Sequence, residues 1–148
     1  MEHKVAVGFA APDFTLLDDA GKERILSHEL GKNIALMWVP KPGTPHCNTE
    51  VCSIRDGFAD LQAAGVEVWC MSYDSPEDLK KFKEKKSLNF PLLSDSDKTV
   101  SKLYGVSGWF FPDRVTFLIN KQGVIIKILK DVDVNAHAQE IIKAFQVI

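Results

Sequence analysis

The sequence has few cysteines, little net charge and no long apolar segment. Three cysteines in 148 residues are too few for the disulfide framework of a small secreted protein and suit reduced or catalytic thiols. A formal net charge of −2 argues against nucleic acid as the main partner. Because the chain contains neither a signal-peptide-like stretch nor an apolar run that could span a bilayer, we expect no membrane role and a cytoplasmic location.

Metal ligands are sparse as well. The four histidines are dispersed along the chain, at His3, His28, His46 and His137, and no cysteine–histidine pair has the spacing of a zinc site. We therefore predict neither a bound metal nor another cofactor. With 45% apolar and 26% charged residues, and without repeats or linkers, residues 1–148 are predicted to form one folded domain.

A buried strand, a loop and a helix follow one another in the first half of the chain. Residues Ile34–Val39 are continuously apolar, which is typical of a strand covered on both faces. A loop rich in proline and glycine starts at Pro40. A helical stripe comes next, formed by Val51, Ile54, Phe58 and Leu61. This order predicts Cys47 on the first turn of a helix that ends before Gly65.

The first turn of a helix suits a reactive thiol. Its unpaired N–H groups and about half a positive charge favour an anion, so Cys47 is expected to react as a thiolate. Thr44 offers a hydroxyl three residues earlier. The simpler interpretation is a small buried apolar side chain, because Cys47 lies four residues before Val51 on the apolar stripe.

A second thiol, Cys52, lies five residues after Cys47. On an intact helix this spacing separates the two α-carbons by about 8.7 Å, whereas a disulfide needs roughly 4.4–6.8 Å. If the two thiols are redox partners, the first turn of the helix must unwind. Spacing alone leaves open whether Cys52 is such a partner or a buried thiol.

The loop and the helix start together carry a specific motif. The pattern P-x-x-x-T-x-x-C, formed by Pro40, Thr44 and Cys47, resembles the active-site signature of the peroxiredoxins. The C-x-x-x-x-C pair, with Glu50 inside it, resembles the subfamily called bacterioferritin comigratory protein or peroxiredoxin Q.

This resemblance covers nearly the whole chain. Residues 8–14 resemble the opening of that family, and residues 114–119 resemble its arginine-bearing strand. Two departures lie in the loop, where His46 replaces the usual Gly and Pro42–Gly43 replaces polar or charged residues. Both are expected at the mouth of the pocket, and neither removes a group that the chemistry needs.

The resemblance implies an α/β thioredoxin-like fold, in which helices flank a central mixed β-sheet that carries an N-terminal β-hairpin. It also implies a thiol-dependent peroxidase that reduces hydrogen peroxide and organic hydroperoxides. In this scheme Cys47 is peroxidatic and forms a sulfenic acid, which Cys52 resolves as an intramolecular disulfide. Thioredoxin or a glutaredoxin-like dithiol then reduces the disulfide.

Three further side chains complete the predicted site. The rigid fork of Arg114 can contact sulfur and oxygen together, and it keeps its charge. The Thr44 hydroxyl and backbone amides near Cys47 are further donors to the peroxide oxygens. Pro40 has no N–H and a fixed φ, so it holds the loop and shields the thiolate. Because no cysteine lies near the C-terminus, a monomer or a non-covalent dimer is expected.

Two other functions fit the same fold. A thioredoxin-like disulfide oxidoreductase normally carries C-x-x-C at the helix start, where both sulfurs meet without unwinding, and the spacing here is longer. A non-catalytic redox-sensing or chaperone-type module is compatible with any fold, although Thr44, Cys47 and Arg114 are all retained. Insulin reduction and peroxide consumption distinguish these functions from a peroxidase.

The rest of the chain alternates between strands and helices. Hairpins are predicted at residues 14–26 and 115–129, a strand at Val66–Ser72, and helices from Ser75, at Asp95–Tyr104 and at Asn135–Phe145. Residues 1–12 are predicted to be a tail or an edge segment. Cys70 is interpreted as a buried structural thiol. The aromatic segment Ser107–Asp113 is either a packed cover of the sheet or a wall of the substrate pocket.

Overall fold

A computed structural model describes residues 5–146, in which the strands form one mixed sheet. The strands are β1 (Thr15–Asp18), β2 (Glu23–Ile25), β3 (Asn33–Trp38), β4 (Val66–Ser72), β5 (Leu92–Ser94), β6 (Val115–Ile119) and β7 (Ile125–Leu129). They lie in the order β2-β1-β5-β4-β3-β6-β7. Strands β3, β4 and β5 run parallel, and all other neighbours pair antiparallel. The predicted mixed sheet and its N-terminal hairpin are confirmed.

Helices cover both faces of this sheet. They are α1 (Pro45–Asp56), α2 (Phe58–Ala63), α3 (Pro76–Lys86), α4 (Thr99–Leu103) and α5 (His137–Gln146), with a 3-10 turn at Leu26–Glu29. Alternate residues of β3 enter two separate cores, since Met37 packs with α1 and α5 while Trp38 packs against Tyr104 and Phe117. No helix within residues 5–146 is both long enough and apolar enough to cross a membrane.

The segment before β1 follows the edge of β7. The N–H of Gly8 donates to the carbonyl of Ile125 at 2.8 Å, and Ala10 forms a bridge with Val124. The predicted edge segment is confirmed for these residues. The start of the predicted tail, residues 1–4 with His3, lies outside the described residues.

The helix predicted to run from Cys47 to just before Gly65 is interrupted, so the prediction of one continuous helix is wrong. Helix α1 ends at Asp56, and α2 begins after Gly57. A Cβ atom at Gly57 would lie 2.5 Å from the Cβ of Ala138 on α5. The close approach of α5 therefore requires glycine at the break between α1 and α2.

In each of the two following helices, a side chain accepts N–H groups of the first turn. Ser75 accepts a hydrogen bond from the N–H of Asp78 at 3.2 Å, which confirms the predicted start of α3. The helix predicted at Asp95–Tyr104 is shorter than expected, because Asp95 is a buried acceptor for the N–H groups of Val100 and Ser101 at 3.1 and 2.6 Å. Strand β5 lies outside the sequence-based predictions, since three residues are too few to show a strand period.

Candidate active site

The candidate site lies at the carboxyl end of β3, where Pro40 begins the loop that leads into α1. Trp38 of β3 pairs with Val115 of β6 in antiparallel register, so Arg114 is placed beside the start of this loop. Cys47 lies in the first turn of α1, as predicted. The sheet register and the helix start thus bring together residues that are distant in the sequence.

The sulfur of Cys47 is held by two donors. The backbone N–H of Lys41 and the Nη2 of Arg114 each lie 3.4 Å from Sγ. Cys47 is completely buried, and donors to a buried sulfur act in a low dielectric, where they stabilise an anion more strongly than in water. The structure therefore fixes two donors, one of them positively charged, against this sulfur.

Arg114 is itself fixed by a buried carboxylate. Its Nη1 donates to Oε1 of Glu50, which lies three residues after Cys47 on α1 and is fully buried. Burial raises the pKa of Glu50 to about 7, although the charge of Arg114 and its hydrogen bond act in the opposite direction. The guanidinium fork therefore bridges Glu50 and Cys47, and the planar group can satisfy both only in one orientation.

The Thr44 hydroxyl was predicted to donate to the peroxide, but in the structure it donates elsewhere. It donates to the carbonyl of Lys41 at 2.7 Å, so its proton is already engaged and its lone pairs are left to accept. Thr44 is the N-cap residue of α1, yet its side chain makes no cap hydrogen bond. Its oxygen therefore accepts no capping N–H and keeps its lone pairs for another donor.

The loop residues that depart from the family pattern have local structural roles. Gly43 has a φ of 96°, which favours glycine, and its N–H donates to the side chain of Asn48 at 3.1 Å. Pro42 is buried, Pro40 is half-buried and His46 is exposed. Gly43 and Pro42 thus shape the loop, while His46 lies on its surface.

Cys47 and Cys52 lie on the same unbroken helix, which confirms their predicted placement on one continuous element. Both are free thiols, and Cys52 is only half-buried. Cys70 on β4 is 1% exposed, and burial raises its pKa well above the ordinary value. This confirms the interpretation of Cys70 as a buried thiol.

The aromatic segment does not cover the sheet. Trp109 and Phe110 are 87% and 78% exposed and stack on each other. The interpretation of Ser107–Asp113 as a packed cover is therefore wrong for these two rings.

Within residues 5–146, no group of three or more histidine, cysteine or acidic side chains could hold a metal ion.

Two contacts of the site lie outside the sequence-based predictions. One is the Lys41 N–H, which has no side-chain signature. The other is His137, which is completely buried at the start of α5 with its Nε2 3.6 Å from Oε2 of Glu50. For the Glu50 side of the site, the sequence did offer a signal. Glu50 lies three residues after Cys47, and residues at that spacing share one helix face.

Known proteins match this chain over most of its length. The AhpC/TSA family matches residues 7–128. The chain is 38% identical to a putative peroxiredoxin bcp of Haemophilus influenzae, covering 93% of this chain and 94% of that protein. It is also 38% identical to the chloroplastic peroxiredoxin Q of Oryza sativa subsp. japonica, covering 82% of this chain and 58% of that one. The crystal structure of peroxidoxin BcpB from Mycobacterium tuberculosis superposes with a TM-score of 0.90 at 28% identity, over 98% and 99% of the two chains.

Proposed function

The chain belongs to the AhpC/TSA family, among the peroxiredoxins of the Bcp and Q kind, and from that premise we propose how it reduces peroxides. The substrates are hydrogen peroxide and organic hydroperoxides. Cys47 is the peroxidatic residue, Cys52 the resolving residue, and Arg114, Thr44 and Pro40 complete the catalytic site. The family and the thioredoxin-like fold agree with the expectations drawn from the sequence.

One observation carries this proposal. Arg114 contacts the sulfur of Cys47 through Nη2 and is locked by Glu50 through Nη1. A guanidinium held in this way can keep its bond to sulfur while it reaches an oxygen beside it. Donors fixed before the reaction stabilise developing charge without the cost of reorganisation.

The first step transfers one oxygen. The thiolate of Cys47 attacks the terminal oxygen of ROOH, an S–O bond forms, and the O–O bond breaks. The products are the sulfenic acid of Cys47 and RO⁻, which takes a proton from water to give ROH. Negative charge moves from the sulfur to the leaving oxygen. Arg114 and the Lys41 N–H, which both contact the sulfur, stabilise this charge in the transition state. The Thr44 oxygen orients the substrate by accepting a hydrogen bond from the peroxide O–H.

The second step joins the two cysteines. The thiol of Cys52 attacks the sulfenic sulfur of Cys47, and water leaves as the disulfide forms. Because α1 keeps the two residues five positions apart on a helix, its first turns must unwind before the sulfurs meet. An external dithiol, thioredoxin or a glutaredoxin-like protein, then reduces the disulfide to two thiols and is oxidised itself.

The remaining predictions belong to the same proposal. We expect one domain over residues 1–148, since every named strand within residues 5–146 lies in one sheet. We also expect a cytoplasmic protein that is a monomer or a non-covalent dimer. The helical spacing of Cys47 and Cys52 disfavours the alternative disulfide oxidoreductase, which needs both sulfurs in contact in the folded state.

Peroxide consumption by the reduced protein tests the first step. Wild type should consume peroxide continuously with thioredoxin and its reductase, whereas Cys47→Ser should consume none. Cys52→Ser should consume one equivalent and stop as a sulfenic acid, which a dimedone adduct reports by mass. Cys70→Ser is the matched control and should turn over like wild type.

Peptide mapping of the peroxide-treated wild type tests the second step. A bridge between Cys47 and Cys52 is expected. A bridge between Cys47 and Cys70, or full thioredoxin-driven turnover by Cys52→Ser, would show that the resolving residue has been wrongly assigned. Insulin reduction without peroxide consumption would instead support a disulfide oxidoreductase.

A further inference from the structure

The loops that follow β3 and β4 leave the sheet at the same edge. The two strands are parallel neighbours with Trp38 opposite Met71, and the N–H of Val39 extends this pairing by donating to the carbonyl of Met71 at 3.1 Å. Lys41 comes shortly after the end of β3, and Asp74 comes shortly after the end of β4. The parallel pairing therefore brings a cation of the active-site loop beside an anion of the neighbouring loop.

Lys41 is bonded through its backbone and its side chain. Its N–H is the backbone donor that contacts Sγ of Cys47 at 3.4 Å. Its carbonyl accepts the hydroxyl of Thr44 at 2.7 Å and the N–H of the same threonine at 3.3 Å. Its ammonium donates to Oδ1 of Asp74 at 3.1 Å. Lys41 therefore links the reactive sulfur and the loop that leads into α1 to a carboxylate outside that loop.

Asp74 is the fixed partner of this ion pair. Its N–H donates to the Ser72 hydroxyl at 3.1 Å, and its carbonyl accepts the Ser94 hydroxyl at 2.6 Å. The next residue, Ser75, is the N-cap of α3. The Asp74 side chain is 14% exposed, whereas that of Lys41 is 47% exposed. Ion pairs between two exposed side chains contribute little, because ordering both costs entropy. Here one partner is already ordered by its backbone contacts, so the pair can restrain the other.

We propose that Asp74 is a positioning residue for peroxide reduction, whose ion pair with Lys41 holds the active-site loop so that the Lys41 N–H stays directed at the Cys47 sulfur. This inference rests on the proposed peroxidase function. Asp74 does not touch the peroxide and takes no part in the bond changes. It acts through Lys41, by fixing a donor before charge moves from the sulfur to the leaving oxygen.

Two substitutions separate this role from a direct effect of the lysine charge on the sulfur. Lys41→Met and Asp74→Ala both remove the ion pair, but only the first removes the ammonium. If the pair holds the loop, each should lower kcat/KM for hydrogen peroxide about three- to tenfold, because a small displacement of a positioned group is costly. The double variant should be no slower than the slower single variant, since both changes remove one interaction. A direct effect of the charge predicts that Asp74→Ala matches or exceeds the wild-type rate.

Single-turnover kinetics distinguish positioning from a general loss of structure. Formation of the sulfenic acid uses the donors at the Cys47 sulfur, whereas the attack by Cys52 follows only after the first turn of α1 has unwound. Stopped-flow peroxide consumption measures the first step, and acid quench with mass spectrometry measures the second. Lys41→Met and Asp74→Ala should slow the first step and leave the second no slower than in wild type. Lys41→Arg keeps a cation that can pair with Asp74, so it should restore the rate of the first step.

Lys32→Met is the matched control, because Lys32 lies just before the other end of β3 and also pairs with carboxylates, those of Glu29 and Glu67 at 2.9 and 3.2 Å. It should keep both wild-type rates, and circular dichroism confirms the fold of each variant. If Asp74→Ala does not fold, Asp74→Asn, which keeps the size and loses the charge, takes its place. A folded Asp74 variant with the wild-type rate, or slowing of both steps alike, would overturn the inference. Absence of peroxide consumption by wild type would instead refute the proposed function.

Discussion

The Arg114→Lys substitution gives the sharpest test of the site geometry. The guanidinium makes two contacts from one rigid group, with Glu50 through Nη1 and with Cys47 through Nη2 at 3.4 Å. A lysine ammonium keeps the charge but cannot hold both positions at once. Loss of one hydrogen bond to a charged group costs about 1.5–3 kcal/mol. If that loss falls on the transition state, kcat/KM for peroxide decreases about 10- to 150-fold, at roughly 1.4 kcal/mol per factor of ten.

Stopped-flow measurement of peroxide reduction by the reduced protein gives this rate directly. Thermal melting followed by circular dichroism shows whether the variant is folded. Arg24→Lys is the matched control, since Arg24 also bonds a carboxylate, that of Asp18, but lies in the N-terminal hairpin. The control should retain the wild-type rate. A folded Arg114→Lys protein with unchanged kcat/KM would refute the role assigned to the fork.

Three further predictions concern the scaffold. Gly57→Ala should lower the free energy of unfolding by about 1–3 kcal/mol, because its Cβ would lie 2.5 Å from that of Ala138; denaturant titration measures this, and an unchanged midpoint would contradict the close approach of α5. Ser75→Ala should cost about 1 kcal/mol in the same titration because it removes the cap of α3, and a loss below a few tenths would show that the cap adds little. Cys70 should resist iodoacetamide at pH 8 in the folded protein and react in denaturant, since burial raises its pKa; rapid alkylation of the native protein, detected by mass spectrometry, would be inconsistent with its buried position.

Local patterns in the sequence predicted most of the elements but not their contacts. The apolar run before Pro40 identified β3, and the Ser-Pro start identified α3, because both depend on neighbouring residues. The break at Gly57 depends instead on Ala138, which belongs to a helix at the other end of the chain. Nothing near Gly57 in the sequence indicates that contact.

In the candidate site, too, local patterns predicted the residues but not the contacts between them. The thiol and the arginine were predicted from a motif and a family resemblance, whereas the contacts of Arg114 with Glu50 and Cys47 depend on the pairing of β6 with β3. His137 looked like one of four dispersed histidines. Its burial depends on how the start of α5 packs beside α1, which a single sequence does not encode locally. The exposed Trp109 and Phe110 show the converse, since aromatic composition alone did not reveal whether the rings are packed.

The position of Glu50 between the two cysteines has a consequence for redox energetics. A bridge from Cys47 to Cys52 would rearrange the backbone that carries Glu50, so forming the disulfide would separate this carboxylate from Arg114. The oxidised protein would then lack a buried ion pair that the dithiol form possesses. Each 1.4 kcal/mol of such a difference raises the reduction potential of a two-electron couple by about 30 mV. In the proposed Cys47–Cys52 cycle, the buried carboxylate would thus favour return to the dithiol and make the disulfide easier for an external dithiol to reduce.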